Sequence, residues 1–206
     1  ELSVVGLNDA GDALFLYGPA GDYGYKNIFR FDFNEKKFQP LFSDLDADIS
    51  DWLSDPETGE IIIGSSRRGK ARHHYADADS SYQRLHRSLV RAYENQTLTI
   101  MSQSQNGKQL ILRASSDVDP GSIFVFDTET KRADFFWANR SWMDPKSMRP
   151  MQIDEVPTED GFSIPVRLTV PEVEGPVPLV VNPHGGPHGV SDDWGFNYET
   201  QLLASR

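Results

Sequence analysis

The residues with the clearest chemical potential form one short run, Pro183-His184-Gly185-Gly186-Pro187-His188-Gly189. They follow directly on Val177-Pro178-Leu179-Val180-Val181, a mostly apolar run of buried-strand type. Two adjacent glycines leave backbone N–H groups uncovered by side chains, and Pro187 stiffens the turn that presents them. Exposed N–H groups at the end of a buried strand suit the stabilisation of a developing oxyanion. One such donor is worth about 3–4 kcal/mol to a transition state. A tight glycine turn joining strand to helix accounts for the same residues without any chemistry, so composition leaves both readings open.

An oxyanion site needs a nucleophile, and the 206 residues contain no Gly-x-Ser-x-Gly elbow. Ser191 and Ser205 lack the pair of flanking glycines that a strained elbow requires. By itself, then, the chain is expected to hydrolyse no peptide. With no cysteine, there is neither a disulfide, nor a thiolate metal site, nor a Cys nucleophile. His73-His74 resembles a metal pair, but adjacent residues of a strand point to opposite faces and no third ligand is evident. Asp44, Asp46, Asp48 and Asp51 approach a calcium-loop spacing without its glycine or terminal glutamate, and read as a solvated turn. No metal or cofactor is called for. Arg67-Arg68-Gly69-Lys70 reads as a solvated basic loop, and Asp77 and Asp79 as charge at the start of a helix. The Asn95 and Asn139 sequons carry no assigned role, since so short a pattern recurs by chance.

The elements that must position these residues show a repeat. Gly11, Gly59 and Gly107 each follow a polar turn and precede a short strand, and the steps between them are equal. A second echo pairs Ile28-Phe29-Arg30-Phe31-Asp32 with Ile123-Phe124-Val125-Phe126-Asp127, each followed by a polar turn and a further strand. Several strands per unit at a period of roughly 40–50 residues is the signature of a β-propeller blade, with a generic antiparallel sandwich as the rival. The middle unit carries apolar residues at 82, 85, 89 and 93, a helical stripe expected to pack on the blade edge.

The pattern changes after Trp137. Residues 141–152 form a Pro-marked connector between blades at 1–140 and a different unit at 153–206. Phe162 to Val170 alternates as a strand, Val177–Val181 reads as a buried strand, and Trp194 onwards as a helix. Strand, Gly-rich loop and helix open an α/β domain. Charge divides at the same place: residues 151–206 hold nine acids and two bases, residues 1–150 twenty-two acids and eighteen bases. The net charge of −11 repels polyanions, which argues against nucleic acid. No apolar run reaches the length of roughly 18 residues that a membrane span needs. Both ends read as cut, making this an internal piece whose unfinished sheet should be less ordered than the blades.

Residues 178–189, with Asp193-Trp194-Gly195-Phe196 and Gln201-Leu202-Leu203-Ala204-Ser205-Arg206, resemble the prolyl oligopeptidase family of serine peptidases. The similarity is to its acylaminoacyl-peptidase and dipeptidyl-peptidase-like branch. Ser115 to Gly121, Trp142 to Pro145, Met148 to Met151 and Glu159-Asp160-Gly161 fit the same branch. The resemblance implies β-propeller blades followed by the N-terminal start of an α/β-hydrolase domain, and short peptides as substrates. It implies that Gly186, then Gly185, lends a backbone N–H to the oxyanion hole. His184 stands where other branches have Tyr and would line the hole. The triad base would lie far downstream, so neither His184 nor His188 is expected to serve as one.

Three functions follow as expectations. The first is a segment of a serine peptidase working by acyl transfer. The second is an HGGG-type esterase, which predicts no propeller. The third is a non-catalytic propeller that binds peptides or proteins. Homo-oligomerisation is left open, as is the choice between periplasm and cytoplasm.

Overall fold

The three evenly spaced glycines all take positive φ, 70° at Gly11, 67° at Gly59 and 66° at Gly107. Only glycine adopts that conformation without a steric penalty, so each marks the same hairpin in a repeated unit. The computed structural model describes residues 1–21, 24–43, 45–76, 80–186 and 190–205. Around the glycines run three antiparallel sheets, each a simple meander. The first contains β1 (Ser3–Leu7), β2 (Ala13–Pro19), β3 (Lys26–Asp32) and β4 (Lys37–Pro40). The second contains β5 (Ile49–Ser54), β6 (Ile61–Arg67) and β7 (Ala71–Tyr75), followed by helix α1 (Ser81–Ala92). The third contains β8 (Thr97–Gln103), β9 (Gln109–Ser115), β10 (Ser122–Asp127) and β11 (Arg132–Ala138). These are blades of a β-propeller.

The second echo also holds in atomic detail. Asp32 Oδ1 accepts the amides of Asn34 and Glu35, and Asp127 Oδ1 those of Glu129 and Thr130. Each turn then ends on a lysine in the left-handed region, Lys36 at φ 52° and Lys131 at φ 58°. The register shifts by one residue in the first strand of every blade, at Val4/Gly6, Ile49/Asp51 and Ile100/Ser102, as at a β-bulge. Bulges sharpen the local twist, which these short strands need in order to fan out.

Two cores glue the blades face to face. Phe15, Ile28, Phe42, Ile49 and Ile61 form the first, between blades one and two. The approach is close: a Cβ on Gly64 would lie 2.5 Å from the Phe42 ring. The second core joins Ile63 to Leu98, Leu110, Leu112 and Phe126 of the third blade. Tyr82 and Leu89 of α1 enter it, with Leu85 and Tyr93 packed alongside. The helical stripe therefore forms as read, but it sinks into the core between blades instead of sitting on a blade edge. Gln83, fully buried, ties the helix down by donating to the Ile62 carbonyl at 2.7 Å. Asp77 and Asp79, read as charge before this helix, lie outside the described residues, and Ser80 caps it.

After β11 the chain makes a 3₁₀ turn at Pro145–Ser147 and then a hairpin of β12 (Met151–Pro157) and β13 (Ser163–Thr169). The strand read over 162–170 is β13. Residues 177–181, read as a buried strand, form none: Leu179 is 78% exposed and Val181 76%. A parallel strand draws hydrogen bonds from neighbours on both sides, and no described strand lies beside this one. The last helix, α2 (Tyr198–Ala204), begins later than Trp194 because Asn197 supplies its cap, accepting the Thr200 amide at 3.0 Å.

Candidate functional site

His184, Gly185 and Gly186 lie in an exposed segment without regular structure. His184 Nδ1 is 2.6 Å from the Gly185 carbonyl oxygen, which holds the imidazole against the loop's own backbone. At Gly185 an added Cβ would meet nothing within 4 Å, and its φ is not positive. Neither crowding nor backbone conformation within this chain calls for glycine there. Pro187, His188 and Gly189, the rest of the run, lie outside the described residues.

The histidine pair divides as strand geometry requires. His73 turns to one side of β7, its Nδ1 2.9 Å from Ser65 Oγ and its ring edge-on to His86 at 4.7 Å. His74 turns to the other, toward Ser66 Oγ at 2.9 Å and the Phe42 ring. His86, from α1, contacts the Tyr75 hydroxyl at 3.0 Å and is 2% exposed. Burial pushes its pKa down to about 3, with help from neighbouring His73 and Arg87. His73 is lowered too, first by burial and then by His74. Neutral imidazoles in a packed interior are structural groups. Among the described residues no three His, Asp or Glu side chains gather to hold a metal. Of the aspartates read as a solvated turn, Asp46 pairs with Arg72 and Asp48 accepts the Lys26 amide, while Asp44 lies outside the described residues.

The basic loop Arg67 to Lys70 is not a free solvated loop. Arg67 pairs with Asp193 at 3.0 Å and Arg68 with Glu155 at 3.2 Å. Lys70 Nζ sits 4.6 Å from the centre of the Trp194 ring, and Ile153 packs against Gly69. The loop is thus the second blade's handle on residues 151–205, and the acidic bias of that segment supplies its partners. The third blade holds the same segment through Gln201, which is 2% exposed. Its Nε2 donates to the Asp117 and Arg149 carbonyls at 3.0 and 2.6 Å, and its Oε1 accepts the Arg149 amide at 2.8 Å. Asp117 Oδ2 accepts the Met151 amide at 2.6 Å. Sequence reasoning assigned no role to Gln201 or Asp117. A polar residue on a short amphipathic helix gives no signal of burial, because its partners are backbone groups far away in sequence.

Between these two handles lies a cleft of about 330 Å³, bounded by blades two and three and covered by Trp194. Arg67, Arg113 and Arg140 line it.

No family model matches the chain, and no curated protein matches it. Solved structures do. One assigned as a dipeptidyl aminopeptidase IV of Bacteroides ovatus aligns over 98% of this chain and 32% of its own, with TM-score 0.62 and 16% identity. AtxE2 isopeptidase, bound to astexin3-dC4, aligns over 90% of this chain and 28% of its own, with TM-score 0.53 and 12% identity. Prolyl oligopeptidase B of Galerina marginata, bound to a 35mer hydrolysis and macrocyclization substrate, aligns over 82% and 24%, with TM-score 0.52 and 14% identity. The fold is shared, and the chain spans about a third or less of the length of each.

Proposed function

We propose that the chain is a segment of a serine peptidase of the prolyl oligopeptidase kind, joining propeller blades to the start of an α/β-hydrolase domain. The boundaries follow the sequence: blades over 1–140, connector over 141–152, hydrolase start over 153–206. The observation that carries this reading is a likeness spanning 98% of the chain, so that blades and loop-bearing segment align together to one peptidase structure. An HGGG-type esterase lacks a propeller and fits less well. A binding-only propeller would leave the uncrowded Gly185 unexplained.

In this reading the peptide carbonyl is attacked by a serine hydroxyl while a histidine, oriented by an aspartate, takes its proton. The C–N bond then breaks, the histidine returns the proton to the amine, and water releases the acyl group by the same route in reverse. None of those three groups is assigned in this chain. Its contribution is the pair of N–H groups at Gly185 and Gly186, which hydrogen-bond the carbonyl oxygen as it gains negative charge. His184 lines that hole. The exposed run 177–181 is the strand that delivers the loop once neighbouring strands pair with it.

The test is to read the coding frame beyond Arg206 and assay the protein it encodes. A Gly-x-Ser-x-Gly elbow followed by Asp and His is expected, with turnover of short peptide anilides. Gly186→Pro removes one N–H and should lower kcat about 10²–10³-fold with KM little changed. A frame without the elbow, or an unaltered kcat, would overturn the reading.

A further inference from the structure

The cleft between blades two and three is cationic in a chain whose net charge is −11. Arg113 projects from β9 on the side away from the core, between buried Leu112 and Ala114. One of its N–H groups donates to the Pro120 carbonyl at 3.2 Å. Arg140 sits just beyond β11 at φ 52°, its guanidinium 5.1 Å from the centre of the Tyr198 ring. A non-glycine residue in the left-handed region costs about 1 kcal/mol or more, and Arg140 lines the cleft in that conformation. Among the described residues neither Arg113 nor Arg140 has a carboxylate partner within 4.0 Å. The third cation, Arg67, is paired through one nitrogen to Asp193. No described residue lining the cleft is acidic. Thr99 and Asn139 add neutral hydrogen-bonding groups, and Trp194 adds an aromatic wall.

We infer that this cleft is an oxyanion-binding site that takes the C-terminal carboxylate of a short peptide. A guanidinium presents a planar fork of N–H donors that matches a carboxylate in two parallel hydrogen bonds. Two such forks line one cleft without a carboxylate partner among the described residues, so an anion that enters it meets donors not already taken by a counter-ion. Trp194, 8% exposed and with Lys70 Nζ against its ring, still lends the cleft an apolar edge that favours an organic ligand over a bare inorganic ion. A volume of about 330 Å³ is at the small end of ligand pockets and suits one or two residues. The inference deepens the peptidase reading by naming a feature of its peptide ligands, but it is tested by binding and not by turnover. The two can therefore fail separately.

The probe is N-acetyl-alanyl-phenylalanine, as free acid and as amide, titrated calorimetrically into the 206-residue chain. The free acid should bind at least tenfold tighter than the amide, and inorganic phosphate should bind more weakly than the acid. Arg113→Gln, with its far-ultraviolet circular dichroism unchanged, should weaken the acid about tenfold or more and leave the amide unaffected. If that variant does not fold, Arg140→Gln carries the same expectation, and Arg113→Lys should recover only part of the affinity because it lacks the fork. Equal binding of acid and amide, phosphate binding as tightly as the acid, no binding by the unmodified chain, or full affinity in the folded variants would each overturn the site.

Discussion

The blades and the segment after them obey the same chemistry with opposite results. In the blades each strand finds its partner one hairpin away, so Leu110 and Leu112 reach 0% exposure and Ile63 does too. In the later segment the most apolar run, 177–181, has no described strand to pair with, and its side chains face solvent. Hydrophobicity alone does not make a strand. It needs a neighbour whose N–H and C=O groups are in reach, and parallel sheets draw those neighbours from far along the chain. What holds the later segment is largely polar, two ion pairs, a cation over Trp194 and the Gln201 network, with the buried Trp194 and Ala204 and the contact of Ile153 on Gly69 as apolar additions. Exposed ion pairs contribute about 0–1 kcal/mol each, far less than a shared apolar core.

The sharpest division should appear on truncating apolar residues. Leu112→Ala opens a cavity in the core between blades two and three and should cost about 2–5 kcal/mol in urea unfolding. Leu179→Ala removes a side chain that is 78% exposed and should change stability by less than about 0.5 kcal/mol. Similar losses at both sites would mean that 177–181 is buried in solution, and the contrast between the regions would be gone.

Acid should separate the regions next, because the buried histidines belong to the blades. His86 has its pKa pushed down to about 3, whereas in the unfolded chain it titrates near 6.5. The folded state thus refuses a proton that the unfolded state accepts. Stability from this residue is fully present above pH 6.5 and is lost as pH falls from there toward 3. One such group gives a slope of about 1.4 kcal/mol per pH unit, and His73, lowered in the same direction, adds to it. Urea midpoints measured between about pH 7 and 4.5 should fall accordingly. His86→Gln should flatten the slope, and an unchanged slope would show that the imidazole is protonated in the fold.

The link between the regions is worth less. Gln201→Ala strips partners from the Arg149 amide and from the Asp117 and Arg149 carbonyls, and should cost about 1–3 kcal/mol. Amide exchange at Arg149 should quicken while exchange at Leu112 stays slow. Protection lost equally in both would mean that the segment and the blades unfold together.

How far the sequence could be read follows the same division. The blades were legible because positive-φ glycines, Asp-led turns and alternating strands are local signals, repeated at even spacing. The α1 stripe was legible for the same reason, although its destination between blades was not, since that depends on Leu98 and Leu110. The HGG run was found from composition, and the structure leaves it exposed. The handles were missed. Arg67 and Asp193 lie 126 residues apart, and Asp117 and Gln201 lie 84 apart. Nothing periodic connects such pairs. The cationic cleft was missed with them, because its arginines come from three places far apart in sequence, the end of β6, the middle of β9 and the turn after β11.

The smallest effect tests whether the repeat is only local or also a contact between blades. Gly11, Gly59 and Gly107 share one conformation, so an alanine at any of them incurs a backbone penalty of about 1 kcal/mol. Their surroundings differ. Around Gly11 a new Cβ would meet nothing within 4 Å. At Gly107 it would come 3.2 Å from Pro56 Cγ, in the turn of the second blade. At Gly59 it would come 2.6 Å from Asp9 Oδ1 and 2.8 Å from the Asp9 amide, which donates to Thr58 O in the neighbouring turn. Backbone yields less readily than a ring carbon, so the losses should rank Gly11→Ala, then Gly107→Ala, then Gly59→Ala. The first should be about 1 kcal/mol and the last about 2 kcal/mol. Three equal losses would mean that the glycines serve their own hairpins alone. The ranked series would mean that each turn also braces the next blade, which is how an even spacing along the chain becomes a stack instead of three separate sheets.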